Sequence, residues 1–156
     1  MATPACIGVK SPDKIVCIYL SSSGYPQWAG AVLLRHWNTQ EKVEQLLQQG
    51  NLYHIDAELG ESHDRFASQN TVAQRGKPIN EHWCQFKLRD HDRRFPPPAD
   101  EHAQTFQNLE TLLTLNSAQD TPWTYLFQDG KWFVYDAQGR DIELTEEYLS
   151  PLTSTN

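Results

Sequence analysis

Hydrophobic positions in the first third of the chain predict a strand that leads into a helix. The run IVCIYL at residues 15–20 is continuously apolar and has polar neighbours, which is typical of a buried strand. The sequence SSSGYP follows, and Pro26 is well placed as the first residue of a helix because its missing N–H would lack a partner there anyway. Apolar residues then recur at helical spacing, so we predict a helix near residues 27–37.

A second helix is predicted directly afterwards, near residues 39–49, with signals at both ends. Asn38 and Glu41 have the spacing of a capping box. Gly50 stands where helices commonly end in a glycine. The two helices therefore follow the first strand with only short connections.

The middle of the chain has a weaker pattern. Residues 57–81 are polar and contain glycine and proline, so we interpret them as a long loop or insertion. Residues 82–89 alternate between apolar and polar positions, which predicts a half-exposed strand. Residues 95–100 include three consecutive prolines and are interpreted as a stiff connector. Beyond it, apolar residues at helical spacing predict a third helix near residues 101–115.

Two aromatic strands are predicted in the C-terminal third. Residues 123–128 and 131–136 flank Asp129-Gly130, a pair that favours the type I′ turn of a two-residue hairpin. Residues 140–144 follow a second turn and can add another strand. Such a meander needs a helix or a further strand against its aromatic face to be stable.

These elements predict one α+β domain over residues 1–156. We expect an antiparallel sheet of about four to five strands, with about three helices packed mainly on one face. No internal repeat and no low-complexity tract is evident in the sequence.

The composition is that of a folded protein, since 38% of the residues are hydrophobic and 11% are aromatic. The longest apolar run is too short to cross a bilayer, and no basic segment followed by an apolar stretch begins the chain. We therefore expect neither a membrane partner nor a secretion signal. Cys6, Cys17 and Cys84 are odd in number and lack C-x-x-C spacing, which favours free thiols in a reducing cytoplasm. We expect no zinc site and no cofactor.

Charge is distributed unevenly along the chain. The net charge is −7, yet residues 65–94 contain seven basic and three acidic residues. A basic segment on an acidic protein is compatible with a local anion site, whereas the field of the whole protein opposes binding to duplex nucleic acid. A solvated basic loop explains the same segment equally well.

The serine-rich turn at residues 21–26 has three interpretations. A catalytic nucleophile elbow needs Gly-x-Ser-x-Gly, and the first glycine is missing. A binding turn would use the hydroxyls of Ser22 and Ser23 and the amides of the next helix to hold an anion, with Tyr25 or Trp28 as a stacking wall. A conformational hinge explains the glycine, the proline and the tryptophan without any ligand, and it is slightly favoured.

The basic segment supplies the remaining candidate residues. Strand alternation at residues 82–89 would place a tryptophan, a lysine and an arginine on one face, close to two further arginines. Arginine binds phosphate in a bidentate manner, and tryptophan offers a stacking surface. The candidate ligand-binding residues are Ser22, Ser23, Tyr25, Trp28, Trp83, Lys87, Arg89, Arg93 and Arg94.

No catalytic or metal-binding group is predicted. His91 lies between Asp90 and Asp92, but adjacent residues of a strand point to opposite sides, so the three side chains do not converge. Glu146 and Glu147 are better explained as the acidic first turn of a short helix than as a catalytic carboxylate pair.

The segment GYPQWAGAVLLRHWNTQEKVEQLLQQGNL, residues 24–52, is similar to a family of small proteins of bacteriophages and mobile elements. Members of that family have a strand, a Gly-Tyr-Pro turn, a leucine-rich helix and a K-V-x-x-L helix that ends in glycine. The sequence YLFQDGKWFVYD, residues 125–136, resembles the closing hairpin of the same family. Ser21-Ser22-Ser23 stands where the family usually has a tripeptide such as His-Trp-Asp, so no role of that histidine or aspartate is carried over.

The resemblance implies an accessory protein that acts in the cytoplasm of a bacterial host. Because accessory proteins of this size commonly inhibit host defence, the first hypothesis is a non-catalytic binding protein. It would sequester a nucleotide-derived signal or block a host defence protein, and it could act as a homo-oligomer. The alternatives are a small enzyme acting on a nucleotide or protein substrate, and a structural or regulatory interaction module.

Overall fold

The structure is a computed structural model that describes residues 3–60, 71–72, 77–78, 82–90 and 100–153. Its strands are β1 Ala5–Ser11, β2 Lys14–Leu20, β3 Leu52–His54, β4 Thr71–Val72, β5 Lys77–Pro78, β6 Gln85–Phe86, β7 Gln104–Phe106, β8 Trp123–Gln128, β9 Lys131–Tyr135 and β10 Asp141–Glu143. Its helices are α1 Ala31–His36, which continues a π-helical turn at Pro26–Gly30, α2 Gln40–Gln48, α3 Leu109–Ala118 and α4 Glu146–Thr153.

A hairpin of β1 and β2 lies at the centre of a mixed sheet. β8 pairs with β1 in parallel and β3 pairs with the end of β2 in parallel, while the other neighbours are antiparallel. The strand order is β10-β9-β8-β1-β2-β3-β6, with β7 also paired to β2. Within the described residues this makes one sheet of eight strands, beside a separate pair of β4 and β5. The prediction of an antiparallel sheet of about four to five strands is therefore wrong.

The strands that were not predicted leave only a weak signal in the sequence. Gly8 interrupts the apolar pattern of β1, but a side chain there would collide with the carbonyl of Val16 and the Cβ of Cys17 on β2. β1 pairs with strands on both sides, so its first four residues are buried although the segment is not uniformly apolar. Parallel pairing also joins residues that are far apart in sequence, which no local pattern encodes.

Hydrophobic side chains cover both faces of the sheet. α1, α2 and α4 pack on one face, in a cluster that includes Ile7, Ile18 and Tyr125. α3 lies on the opposite face, where Leu112 belongs to the same buried cluster as Cys17. All three cysteines are free thiols and are buried. The sheet is thus the middle layer, with three of the four described α-helices on one side.

The ends of α2 follow from its sequence. The hydroxyl of Thr39 accepts a hydrogen bond of 3.2 Å from the backbone N–H of Lys42, so the cap is one residue later than the predicted Asn38. Gly50 follows the helix with a φ of +87°, which confirms its predicted role in ending the helix.

The helix predicted at residues 101–115 begins later than expected. Asn108 caps α3 by accepting a hydrogen bond of 2.8 Å from the N–H of Thr111. The preceding segment Gln104–Phe106 is β7, which pairs with β2. The proline-rich connector, apart from Asp100, and most of the predicted loop at residues 57–81 lie outside the described residues.

The strand predicted at residues 82–89 is reduced to Gln85–Phe86. The backbone N–H of Asp90 donates to the carbonyl of Phe86 at 2.8 Å, and the Asp90 carboxylate accepts from the N–H of Phe86 at the same distance. These bonds fold residues 87–89 into a turn, so the alternation of faces predicted for this segment does not occur.

The C-terminal hairpin has the predicted turn. Asp129 and Gly130 have φ values of +53° and +79°, as a type I′ turn requires.

We expect Gly130→Val to lower the free energy of unfolding by about 1–2 kcal/mol, because a β-branched residue is strained at positive φ. Among the described residues, no atom beyond the two chain neighbours lies within 4 Å of the position that a Cβ would take at Gly130. Steric collision of the new side chain therefore does not add to the loss of stability. Urea unfolding measures the change, and Asp129→Asn is the control, since asparagine tolerates this conformation. A loss as large for the control would contradict the argument.

Candidate functional site

The glycine of the Gly-Tyr-Pro turn is held tightly by the rest of the fold. Its N–H donates to the carbonyl of Thr3 at 2.7 Å, and the buried hydroxyl of Tyr125 donates to its carbonyl at 2.7 Å. A Cβ at Gly24 would lie 2.6 Å from the Cβ of Ala5. The turn therefore anchors β1 and β8 to the start of the helical segment, as the hinge interpretation requires.

The serines of this turn are also used by the fold. The hydroxyl of Ser22 donates to the backbone carbonyl of Tyr53 at 3.3 Å. Ser23 is half-buried with a φ of +59°, and Tyr25 is 42% exposed. This arrangement gives Ser22 a backbone partner and leaves Tyr25 as the exposed aromatic side chain of the turn.

Trp28 connects the helical segment to the end of β3. Its indole N–H donates to the carbonyl of Ile55 at 3.0 Å, and its ring stacks on the ring of His54 with 5.8 Å between centroids and 25° between planes. The π-helical turn at Pro26–Gly30 places Trp28 on this side of the molecule. Trp28 is thus a wall next to the polar residues that follow β3.

A cavity of about 490 Å³ lies between the helical segment and the chain after β3. We call it the Asp56 pocket, and the polar and aromatic residues that line it include Trp28, Arg35, His36, Asp56, Glu58 and His82. This volume falls in the range of small-molecule sites, which is about 300–1,000 Å³. Arg35 is already engaged at the rim, because its guanidinium makes a bidentate pair with Glu146 at 2.8 and 2.9 Å.

A buried carboxylate is among the groups that line the Asp56 pocket. The side chain of Asp56 is 8% exposed, and one of its oxygens lies 3.0 Å from Nε2 of His54. The other oxygen accepts from the backbone N–H of Ala57 at 2.8 Å and lies 3.7 Å from Nδ1 of His82. Two imidazole rings therefore flank one carboxylate, and His82 and Asp56 also line the cavity.

The backbone of Asp56 is fixed from two sides. The indole N–H of Trp37 donates to its carbonyl at 2.8 Å, and its N–H donates to the sulfur of Cys84 at 3.3 Å. Burial raises the pKa of the Cys84 thiol to about 12, so the sulfur stays protonated at neutral pH and donates back to the Asp56 carbonyl. Cys84 is therefore a structural contact rather than a nucleophile.

Arg89 points into the protein instead of towards a ligand. Its Nε lies 2.9 Å from the carboxylate of Asp90, which is fully buried. Its two terminal nitrogens donate to the carbonyls of Leu59, Gly60 and Cys84. The predicted role of Arg89 in an exposed phosphate site is corrected accordingly, because every nitrogen of its guanidinium already donates within the fold.

The other residues predicted in the basic segment are dispersed. Lys87 is half-buried between the carboxylate of Glu101 at 3.9 Å and the ring of Tyr53 at 5.7 Å. Trp83 packs over Gly60, where a Cβ would collide with its indole ring. Arg93 and Arg94 lie outside the described residues. Of the predicted set, the structure brings Trp28 into the Asp56 pocket.

Neither His54 nor Asp56 is among the site residues predicted from the sequence. They are two residues apart at the end of a strand, and in extended chain that spacing directs both side chains to the same side. The segment Tyr53-His-Ile-Asp56 therefore contained a local signal, but the aromatic wall and His82 come from distant parts of the chain.

No group of three or more potential metal ligands is arranged to bind an ion among the residues that the structure describes. In the same part of the chain, no helix has both the length and the apolar character needed to span a membrane. Comparison with protein-family models, with curated proteins and with solved structures gives no match to this chain.

Proposed function

We propose that the protein is a non-catalytic binding protein that holds a small polar ligand in the Asp56 pocket. The observation that carries this proposal is the buried Asp56 carboxylate, flanked by His54 and His82 at the edge of a cavity of about 490 Å³. A carboxylate that is shielded from water makes stronger hydrogen bonds to a ligand than an exposed one. Trp28 adds an aromatic wall to the same cavity.

The chemistry of the pocket favours a ligand with a planar heterocycle that bears N–H donors, such as the base of a nucleotide-derived signal. A base can stack on an indole ring and donate hydrogen bonds to a carboxylate at its edge. Asp56 and Glu58 both line the cavity and repel phosphate, so we expect the heterocycle to lie next to Asp56. The phosphates of such a ligand would point away from these two carboxylates.

The resemblance to bacteriophage and mobile-element proteins supports a role as an inhibitor of bacterial host defence, acting in the host cytoplasm. In that role the protein would sequester the signal and keep it from its receptor. Blocking a defence protein by direct contact is the alternative way to inhibit host defence, and binding experiments with nucleotides separate the two.

Catalysis is the second candidate function, and the 3.0 Å contact between His54 and Asp56 favours it. A carboxylate that orients an imidazole is the arrangement of a general acid–base pair. Against it, the thiol of Cys84 stays protonated and the hydroxyl of Ser22 donates to a backbone carbonyl, so neither is prepared for nucleophilic attack.

Calorimetric titration with a panel of cyclic and ADP-ribose-type nucleotides tests the proposal. We expect one of them to bind, and Asp56→Asn to weaken its binding about 10- to 100-fold, because a hydrogen bond to a charged group contributes about 1.5–3 kcal/mol. Glu58→Gln is the matched control, since Glu58 lines the same cavity but is exposed, and it should retain most of the affinity.

The state of the ligand after binding separates the candidate functions. Recovery of the unchanged nucleotide after heat denaturation supports sequestration, whereas a converted nucleotide supports catalysis by the His54–Asp56 pair. The pocket proposal is wrong if no nucleotide of the panel binds, or if the Asp56→Asn variant binds its nucleotide as tightly as the unaltered protein. Direct contact with a defence protein then becomes the leading hypothesis.

A further inference from the structure

Within the part of the chain that the structure describes, strand β10 forms one edge of the sheet. β10 is terminal in the strand order and pairs with β9 on one side. Bonds from Asp136 N–H to the carbonyl of Arg140 and from Leu144 N–H to the carbonyl of Trp132 extend the pairing at both ends. Because alternate residues of an antiparallel strand direct their backbone groups to opposite sides, Asp141 and Glu143 turn theirs away from β9.

An apolar recess lies beside this edge. Ile142 is paired with Val134, so their side chains share the face of the sheet on which α4 packs. Ile142 is 48% exposed, which is unusual for a large apolar side chain among the described residues. A cavity of about 290 Å³ lies here, and its apolar lining includes Trp123, Val134, Ile142 and Tyr148.

The charge around the edge is acidic. Residues 136–147 contain five acidic residues and one basic residue. Arg140 is bound to the carboxylate of Asp136 at 2.8 Å and Arg35 to that of Glu146 at 2.8 Å, so the edge keeps the charges of Asp141, Glu143 and Glu147. Lys131, on the neighbouring strand β9, lies 4.0 Å from Glu143 and is 62% exposed, so it can move aside.

We propose that the edge of β10 docks an extended basic peptide segment of a partner protein by strand addition. The backbone of Asp141 and Glu143 would bond to the incoming strand, and their carboxylates would pair with its basic side chains. An apolar side chain between those basic residues would lie next to Ile142, above the recess. The partner segment therefore alternates basic and apolar residues.

A second copy of this chain fits the edge poorly. Antiparallel pairing of two β10 strands about Ile142 would place each Asp141 opposite a Glu143, and directly opposed like charges destabilise a strand pair. Charge complementarity thus favours a basic partner over self-association. This inference is independent of the Asp56 pocket, which uses other residues.

Fluorescence anisotropy with a labelled peptide of alternating lysine and valine tests the inference. The double variant Asp141→Asn with Glu143→Gln should bind the peptide about fivefold more weakly, since each cross-strand charge pair contributes a modest amount. The matched control is Glu110→Gln with Asp120→Asn, in α3 and just after it, which changes the net charge equally and should leave binding unchanged. A peptide of alternating glutamate and valine should not bind.

The backbone part of the docking has its own variant. Glu143→Pro removes an N–H that points away from β9, so the fold should be retained while peptide binding falls at least tenfold. If this variant does not fold, the charge variants still decide the question. Equal weakening by the α3 control, equal binding of the acidic peptide, or a dimer in sedimentation that is lost on changing Glu143 would each overturn the inference.

Discussion

Replacement of Arg89 by alanine is expected to lower the free energy of unfolding by about 3–5 kcal/mol, which is large for a residue of a basic surface segment. Its guanidinium lies 2.9 Å from the carboxylate of Asp90, and the two side chains are 15% and 0% exposed. Removing the cation takes a close countercharge away from a buried carboxylate, and the carbonyls of Leu59 and Cys84 lose a donor.

Arg35 provides the matched control for this prediction. It makes a bidentate pair with Glu146 at similar distances, but the two side chains are 48% and 58% exposed. Water and salt screen such a pair, so Arg35→Ala should change stability little. Urea unfolding of both variants measures the contrast. If Arg89→Ala is as stable as Arg35→Ala, the inward orientation of Arg89 is wrong and an exposed anion site returns as the better interpretation.

The contrast between these arginines shows what the sequence can and cannot predict in the basic segment. Alternation of apolar and polar residues at 82–89 favours a strand with Arg89 on the exposed face. In the structure, Asp90 bonds to both backbone groups of Phe86 and closes a turn, which directs the arginine inward. The decisive contact is between a charged residue and the backbone four positions earlier, and periodicity does not detect it.

Features that depend on neighbouring residues are predicted well from the sequence. The Asp129-Gly130 turn and the glycine that ends α2 follow from conformational preferences of single residues, and both are present. β2 and the two hairpin strands also lie where their apolar and aromatic runs indicate. The sequence therefore predicts individual elements more reliably than their order in the sheet.

Features that depend on distant residues are the ones that the sequence does not predict. β1 contains a glycine because the backbone of β2 lies against it, so its apolar pattern is broken for a tertiary reason. The same holds for the Asp56 pocket, because Trp28, Asp56 and His82 come from three separate segments. His54 and Asp56 could be linked by their spacing, but nothing local indicates Trp28 or His82 as their neighbours.

Two tryptophans connect the C-terminal hairpin to the Asp56 pocket. The indole N–H of Trp132 on β9 donates to the carbonyl of Trp37 at 2.8 Å. The indole N–H of Trp37 in turn donates to the carbonyl of Asp56 at 2.8 Å. Both side chains are buried, so these bonds fix the end of α1 between the sheet and the pocket.

Trp132→Ala is therefore expected to lower the free energy of unfolding by about 3–5 kcal/mol, through a large cavity and the loss of one buried hydrogen bond. The ring also contacts Phe127 edge to face, with 5.2 Å between centroids. Trp132→Phe separates the two causes, because it retains much of the apolar volume but leaves the Trp37 carbonyl without its donor. We expect Trp132→Phe to lower the free energy of unfolding by about 1–3 kcal/mol.

Trp123→Ala is the control for the loss of a tryptophan from the same sheet face. Because Trp123 is only partly buried, Trp123→Ala should lower the free energy of unfolding less than Trp132→Ala does. Urea unfolding followed by far-ultraviolet circular dichroism measures all three variants without relying on tryptophan fluorescence. A Trp132→Phe variant as stable as the unaltered protein would show that the bond to Trp37 contributes nothing. A loss from Trp123→Ala equal to that from Trp132→Ala would contradict the central position of Trp132 in the core, and with it the anchoring of the Asp56 pocket to the sheet through Trp37.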